Sequence, residues 1–108
     1  MSKQFALTFI ILLFFSVTAI PTLPDLSKKE DLRALGIGKI VEKDGSIITK
    51  INLEEVNDNG IVYKKDESLH DIAIGDIRKI EFLKTPWGSL EIIFIDGKPK
   101  INLLYVIH

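Results

Sequence analysis

The fold is decided by residues 47–82, which read IITKINLEEVNDNGIVYKKDESLHDIAIGDIRKIEF. Apolar and polar side chains alternate along much of this stretch, and a period of two predicts β-strands. Turn residues cluster at Asn57-Asp58-Asn59-Gly60 and again at Gly75-Asp76, while a charged tip covers residues 64–67. The stretch therefore predicts a set of short antiparallel strands joined by tight turns.

The alternation also predicts which side chains share the apolar face of these strands. Glu54-Glu55 interrupts the pattern before Val56, which indicates a bulge or bend in a long strand. The positions that follow the apolar alternation are Ile47, Thr49, Ile51, Leu53, His70, Ile72, Ile74, Ile80 and Phe82.

Similar patterns extend the β-structure in both directions. Residues 37–42 form a first strand, and Asp44-Gly45 indicates a two-residue hairpin turn after it. Thr85-Pro86-Trp87-Gly88 fits a type I turn, and Asp96-Gly97 joins residues 90–95 to residues 101–107. We predict an all-β fold for residues 37–108: a small antiparallel barrel or sandwich of about six to seven strands.

The N-terminal part has a different character. Residues 1–19 have the basic start, apolar centre and small-residue end of a secretory signal peptide, with cleavage expected after Ala19. The alternative is a retained membrane anchor, which would make this a single-pass membrane protein. Residues 20–36 are predicted to be a leader and a short helix, capped by Ser27 and Glu30 and ended by Gly36.

The charge of the chain bears on its partners, and its lack of cysteine bears on its cellular location. Without Lys3 the chain has 13 basic against 15 acidic residues, a formal charge of −2, so nucleic acid is not an expected partner. The chain contains no cysteine, which favours export into a bacterial envelope over a disulfide-stapled secreted domain. We expect a periplasmic or extracellular protein without stable membrane insertion once the signal is removed.

The ending Ile72-Ala73-Ile74-Gly75-Asp76-Ile77-Arg78-Lys79-Ile80-Glu81-Phe82, with the bent strand and hairpin before it, carries a resemblance. The stretch resembles SH3-like and Sm-like small barrels. It is also similar to exported bacterial domains of unknown function that end in I-P-x-x-x-I-x-x-I-E-F, although Ala73 stands where those have proline. The basic RNA-binding positions of Sm proteins are missing, so the resemblance implies a fold and no functional residues.

Catalytic chemistry has few candidates in this sequence. The only histidines are His70 and His108, and no nucleophile, phosphate-loop or metalloprotease motif occurs. His70 is expected on the apolar face of a strand as a structural residue. The open alternative is a small-ligand carrier or an enzyme with a pocket near His70 and Tyr63. We predict a non-enzymatic protein with no cofactor.

One spacing has the form of a calcium-binding loop. Glu55, Asn57, Asn59, Gly60 and Asp66 occupy positions 1, 3, 5, 6 and 12 of the EF-hand pattern. The first and last acids are reversed relative to that pattern, and flanking helices are not predicted. A hairpin turn explains the same residues, because Asn and Gly both tolerate positive φ. The sequence therefore predicts no metal site.

The candidate recognition surface is the last hairpin. Its strands are apolar on both faces, which is typical of a strand buried on both sides or of one that awaits a partner. We predict a binding or assembly module that pairs with a protein partner or a second copy here, unless the N-terminal helix covers the hairpin. The candidate partner-binding residues are Trp87, Leu103, Tyr105 and Ile107. Trp87 has an alternative role as the plug of a barrel end.

Overall fold

The computed structural model describes residues 23–105, with the side chain of Tyr105 left out; the predicted signal peptide and Ile107 lie outside these residues. One helix precedes seven strands. The elements are α1 (Lys29–Ala34), β1 (Ile37–Glu42), β2 (Ile47–Val56), β3 (Gly60–Lys65), β4 (Ser68–Ala73), a 3₁₀ turn (Ile74–Asp76), β5 (Ile77–Thr85), β6 (Gly88–Ile95) and β7 (Lys98–Tyr105). The prediction of an antiparallel β fold with six to seven strands is confirmed.

All seven strands belong to one sheet, in the order β4-β3-β2-β1-β5-β6-β7. Strands β1 to β4 follow one another as neighbours, and the 3₁₀ turn then returns the chain so that β5 pairs with the other side of β1. The predicted barrel is wrong, because β6 and β7 continue the sheet beyond β5 and leave β4 and β7 as the two edges of the sheet formed by residues 23–105.

Two bulges in β2 bend the centre of the sheet. Glu54 is the extra residue where β2 pairs with β3, which confirms the bulge predicted there. A second bulge, which was not predicted, lies opposite β1 between Ile48 and Ile51 and includes Lys50 at φ 56°. It moves Ile48 onto the core side and leaves Ile47 and Thr49 exposed, so the inward placement expected for those two was wrong.

The inner face of the curved sheet and α1 share one hydrophobic core. Its buried side chains come from the helix, from the residue that caps its C-terminal end and from five strands of the sheet: Leu32, Leu35, Ile40, Ile51, Leu53, Ile61, Ile77, Ile80, Phe82, Leu90 and Ile92, with Tyr63 nearly buried. Burying each such side chain is worth about 1.5–3 kcal/mol. Because Leu32 in α1 and Leu35, which caps its C-terminal end, are both buried, α1 is an integral part of this core.

The start of α1 differs from the prediction. The helix begins at Lys29, and its cap residue Lys28 makes no side-chain capping bond. The Ser27 hydroxyl instead donates to a carboxylate oxygen of Asp25 at 2.6 Å, so the predicted capping box is absent. Gly36 ends the helix at φ 74°, as predicted.

The turns divide into expected and unexpected types. Asp96-Gly97 is the two-residue turn predicted for the last hairpin, with both residues at positive φ. Asp66-Glu67 makes the same kind of turn without a glycine. The β1–β2 hairpin has a three-residue loop rather than the predicted two, because the Glu42 amide donates to the Ser46 carbonyl and Gly45 alone adopts positive φ.

Candidate functional site

Strand β7 forms an open edge of the sheet beside β6. Ile101 lies opposite Ile92 and Leu103 opposite Leu90, so these β7 side chains extend the inner, core-forming face. Their β6 partners are completely buried, whereas Leu103 is 39% exposed. The apolar surface therefore continues past the part of the core that is covered.

The two halves of β7 differ in chemistry. An edge strand presents backbone N–H and C=O groups that can pair with another strand, and lysine and proline residues discourage such pairing. Lys98, Pro99 and Lys100 provide that protection at the start of β7. Residues 101–105 read Ile-Asn-Leu-Leu-Tyr and carry no such group. The unprotected part of the edge is therefore also the apolar part.

A bulge changes which side chains this edge exposes. Ser89 pairs with Tyr105 and Leu90 with Leu103, so Leu104 is the extra residue between them and is 50% exposed. Of the predicted contact residues, Leu103 is exposed at this edge, and Leu104, which was not among them, is exposed as well. No local signal in the sequence marks this bulge. The backbone of Tyr105 also lies on this edge.

The outer face of the sheet carries a ladder of ion pairs across β1, β5 and β6. Glu81 lies 3.2 Å from the Lys39 ammonium and 3.1 Å from that of Lys79, which also approaches Glu91 at 3.8 Å. Partial burial raises the pKa of Glu81, but hydrogen bonds and positive charge from Lys79 and Lys39 outweigh it and hold the pKa below its ordinary value. The ladder therefore holds the charged side chains of Lys39, Lys79, Glu81 and Glu91 together on the face of the sheet away from the core.

Beside the ladder lies a groove of about 590 Å³, which was not predicted from the sequence. Ile37 and Leu83 are its apolar walls, at 68% and 63% exposure, and the Lys39–Glu81 pair lies along it. Both apolar residues occupy strand positions whose side chains point away from the core. The groove has room for an apolar side chain of a bound molecule, and the Lys39 and Glu81 side chains that line it are already paired with each other.

Trp87 lies in the tight turn between β5 and β6. The Thr85 hydroxyl accepts a hydrogen bond from the Trp87 amide at 3.0 Å and donates one to the Gly88 carbonyl at 2.7 Å. The Trp87 side chain is half-buried and packs against the hydrophobic core. The open sheet of residues 23–105 has no barrel end for Trp87 to plug, and the half-buried ring leaves part of its surface available for contact.

His70 and Tyr63 lie opposite each other on β4 and β3. Their rings stack, with centroids 5.3 Å apart and an interplanar angle of 22°. His70 shares the face of the core residue Tyr63, which is the apolar face expected for it, but its side chain is exposed. It is exposed because β4 is an edge strand of the sheet. Burial, followed by the negative charges of Glu42 and Asp71, raises the pKa of Tyr63. A shallow cavity of about 430 Å³ includes both rings.

The calcium-loop residues are separated by strand β3. Asn57 Oδ1 accepts the amides of Asn59 and Gly60 at 2.9 and 3.0 Å, and its Nδ2 donates to Glu55 at 2.8 Å. Asp66 follows the opposite end of β3, about 20 Å away for a six-residue strand. Gly60 is needed here for space rather than for positive φ, because a Cβ would lie 2.3 Å from the Ile72 carbonyl oxygen.

Within the described part of the chain, no group of three or more acidic or histidine side chains is placed to hold a metal ion. Among residues 23–105, no helix has the length and apolar character needed to cross a membrane. Comparisons with known protein families, with curated proteins and with solved structures gave no match.

Proposed function

We propose that this chain is an exported, non-enzymatic binding or assembly module of a bacterial cell envelope. Its binding surface is the second half of β7, and its mode of binding is the addition of a partner strand to that edge. The observation that carries the proposal is an open edge strand whose unprotected half exposes Leu103 and Leu104. Backbone hydrogen bonds would supply affinity there, and the leucines would supply apolar contact.

Support for export comes from the sequence. The signal-like pattern of residues 1–19 and the lack of cysteine favour the periplasm or the extracellular space. Retention of residues 1–19 would instead anchor the same β domain to the membrane. N-terminal sequencing of the exported protein distinguishes the two.

The resemblance to SH3-like and Sm-like small barrels is proposed for β1 to β5. Its support is the strand order, in which β1 lies between β2 and β5, together with the two bulges that bend β2. Strands β6 and β7 would then be an addition to that unit. The proposed binding edge belongs to this addition.

A rival function has one observation in its favour, the shallow cavity at Tyr63 and His70. In that reading the protein is a small-ligand carrier or an enzyme that works at this cavity. Native mass spectrometry of the exported protein tests it. A bound small molecule that is retained by the wild type and lost in His70→Ala would favour the rival over the binding module.

Photo-crosslinking in intact cells tests the binding edge. A photoreactive amino acid replaces Leu104 on β7 or, as a control, the similarly exposed Ile47 on the interior strand β2. We expect a covalent protein adduct of discrete mass from position 104 and none from position 47. Absence of any adduct from position 104 contradicts the proposed function.

A further inference from the structure

We propose that the partner strand is β7 of a second copy, paired antiparallel about a two-fold axis at Asn102. This inference rests on the proposed function and names the partner of the same edge. A two-fold interface uses one patch on both copies, so the patch must be complementary to itself.

The lysines favour antiparallel pairing over parallel pairing in register. Lys98 and Lys100 are exposed, and no carboxylate in the described part of the chain forms an ion pair with either. Parallel pairing in register would place each lysine opposite the same lysine of the second copy, and this repulsion between like charges is destabilising. Antiparallel pairing about Asn102 separates the two Lys98 residues by eight positions, about 27 Å along the strand.

The same axis matches the inner-face side chains. Residues directly opposite in an antiparallel pair lie on the same face. Ile101 of each copy then lies opposite Leu103 of the other, and both belong to the inner face because they already face Ile92 and Leu90. The pairing would extend the apolar face of each copy across the junction and cover Leu103, which is now 39% exposed.

The residue on the axis suits its position. Asn102 lies opposite Glu91 on the outer face. In the dimer it would lie directly opposite Asn102 of the second copy, across the axis. An asparagine amide both donates and accepts hydrogen bonds, so two copies can bind each other. A charged residue could not do so without repulsion.

The other edge of the sheet fits self-pairing less well. Strand β4 has six residues against eight in β7, and its sequence Ser-Leu-His-Asp-Ile-Ala includes a charged residue in its middle. Its single highly exposed apolar side chain is Leu69. We therefore use β4 as the control edge.

Cysteine crosslinking tests the axis, because the natural chain has no cysteine to interfere. The variants Asn102→Cys, Lys98→Cys and Leu69→Cys are exported as the full chain and oxidised with diamide. Directly opposed antiparallel residues have Cα atoms about 4.5–5.5 Å apart, which suits a disulfide. We expect a disulfide dimer from Asn102→Cys and monomer from the other two. A dimer from Leu69→Cys alone, or from none of the three, overturns the axis.

Sedimentation equilibrium provides a second readout that does not depend on cysteine. Asn102→Asp places two carboxylates against each other across the axis, so we expect the dissociation constant of the dimer to rise at least tenfold at pH 7. Lys98→Glu, away from the axis, should leave it within threefold. A wild-type chain that stays monomeric at all concentrations overturns self-pairing. If position 104 still crosslinks to a different protein, the proposed function stands without this inference.

Discussion

The ring of Phe82 lies over Gly38 across the β1–β5 ladder, and a Cβ at position 38 would stand 2.5 Å from the ring atom Cε1. The same Cβ would lie 2.7 Å from the Glu81 carbonyl oxygen. An aromatic side chain that covers a strand glycine compensates for the missing side chain of that glycine. Through this contact the Phe82 ring packs directly on the backbone of the central strand β1.

Replacing Gly38 by alanine should destabilise the protein. The added methyl group cannot fit unless Phe82 or the β5 backbone shifts, and such overpacking costs about 1–3 kcal/mol. Urea unfolding should show a lower midpoint for Gly38→Ala. The matched control is Gly75→Ala, where a Cβ meets nothing within 4 Å and φ is not positive. Equal midpoints for Gly38→Ala and the wild type would contradict the close contact.

Removing the hydroxyl of Thr85 should loosen the turn that holds Trp87. Thr85→Val keeps the shape but loses the bonds to the Trp87 amide and the Gly88 carbonyl, at a cost of about 1–3 kcal/mol. We expect lower stability and a red-shifted Trp87 emission in the folded state. Thr49→Val, at an exposed position, is the control and should change neither. An unshifted emission from Thr85→Val would show that the hydroxyl does not position the ring.

Glu81 should make stability depend on pH in a defined direction. Its pKa is below the ordinary value of 4.5 in the folded state, so its stabilising contribution is complete above about 4.5 and is lost as pH falls through the lower folded pKa. Glu81→Gln should lower the free energy of unfolding by about 1 kcal/mol at pH 7 and by less at pH 3.

The control for Glu81 is Glu67→Gln. Glu67 is 92% exposed and lies 3.8 Å from Lys64, so its removal should change stability by no more than a few tenths of a kcal/mol. The measurement is urea unfolding of each variant at both pH values. A Glu81→Gln effect that is equal at pH 7 and pH 3 would contradict the lowered pKa.

Asn57 should matter as a turn residue rather than as a calcium ligand. Asn57→Ala removes the acceptor of two backbone amides and should cost about 1 kcal/mol. Asn59→Ala, whose side chain makes no hydrogen bond within residues 23–105, is the control. Millimolar calcium should leave the unfolding temperature of the wild type unchanged. A calcium-dependent rise that disappears in Asn57→Ala would restore the metal-site hypothesis.

The sequence by itself determined the β class, most of the turns and much of the core. Alternation identified Ile51, Leu53, Ile80 and Phe82 as inward residues, because a strand's side chains alternate between two faces whatever its neighbours are. The Glu54 bulge was readable because two consecutive charges break that alternation. These features depend on local chain geometry.

The tertiary structure alone decided the open sheet, the second β2 bulge and the positions of His70 and Leu104. Lys50 and Leu104 are extra residues only relative to the strands they pair with, and no local pattern records that register. His70 follows an apolar alternation but is exposed, because burial depends on what packs over a strand and β4 is an edge. The candidate binding edge likewise follows from strand order, which is a long-range property of the fold.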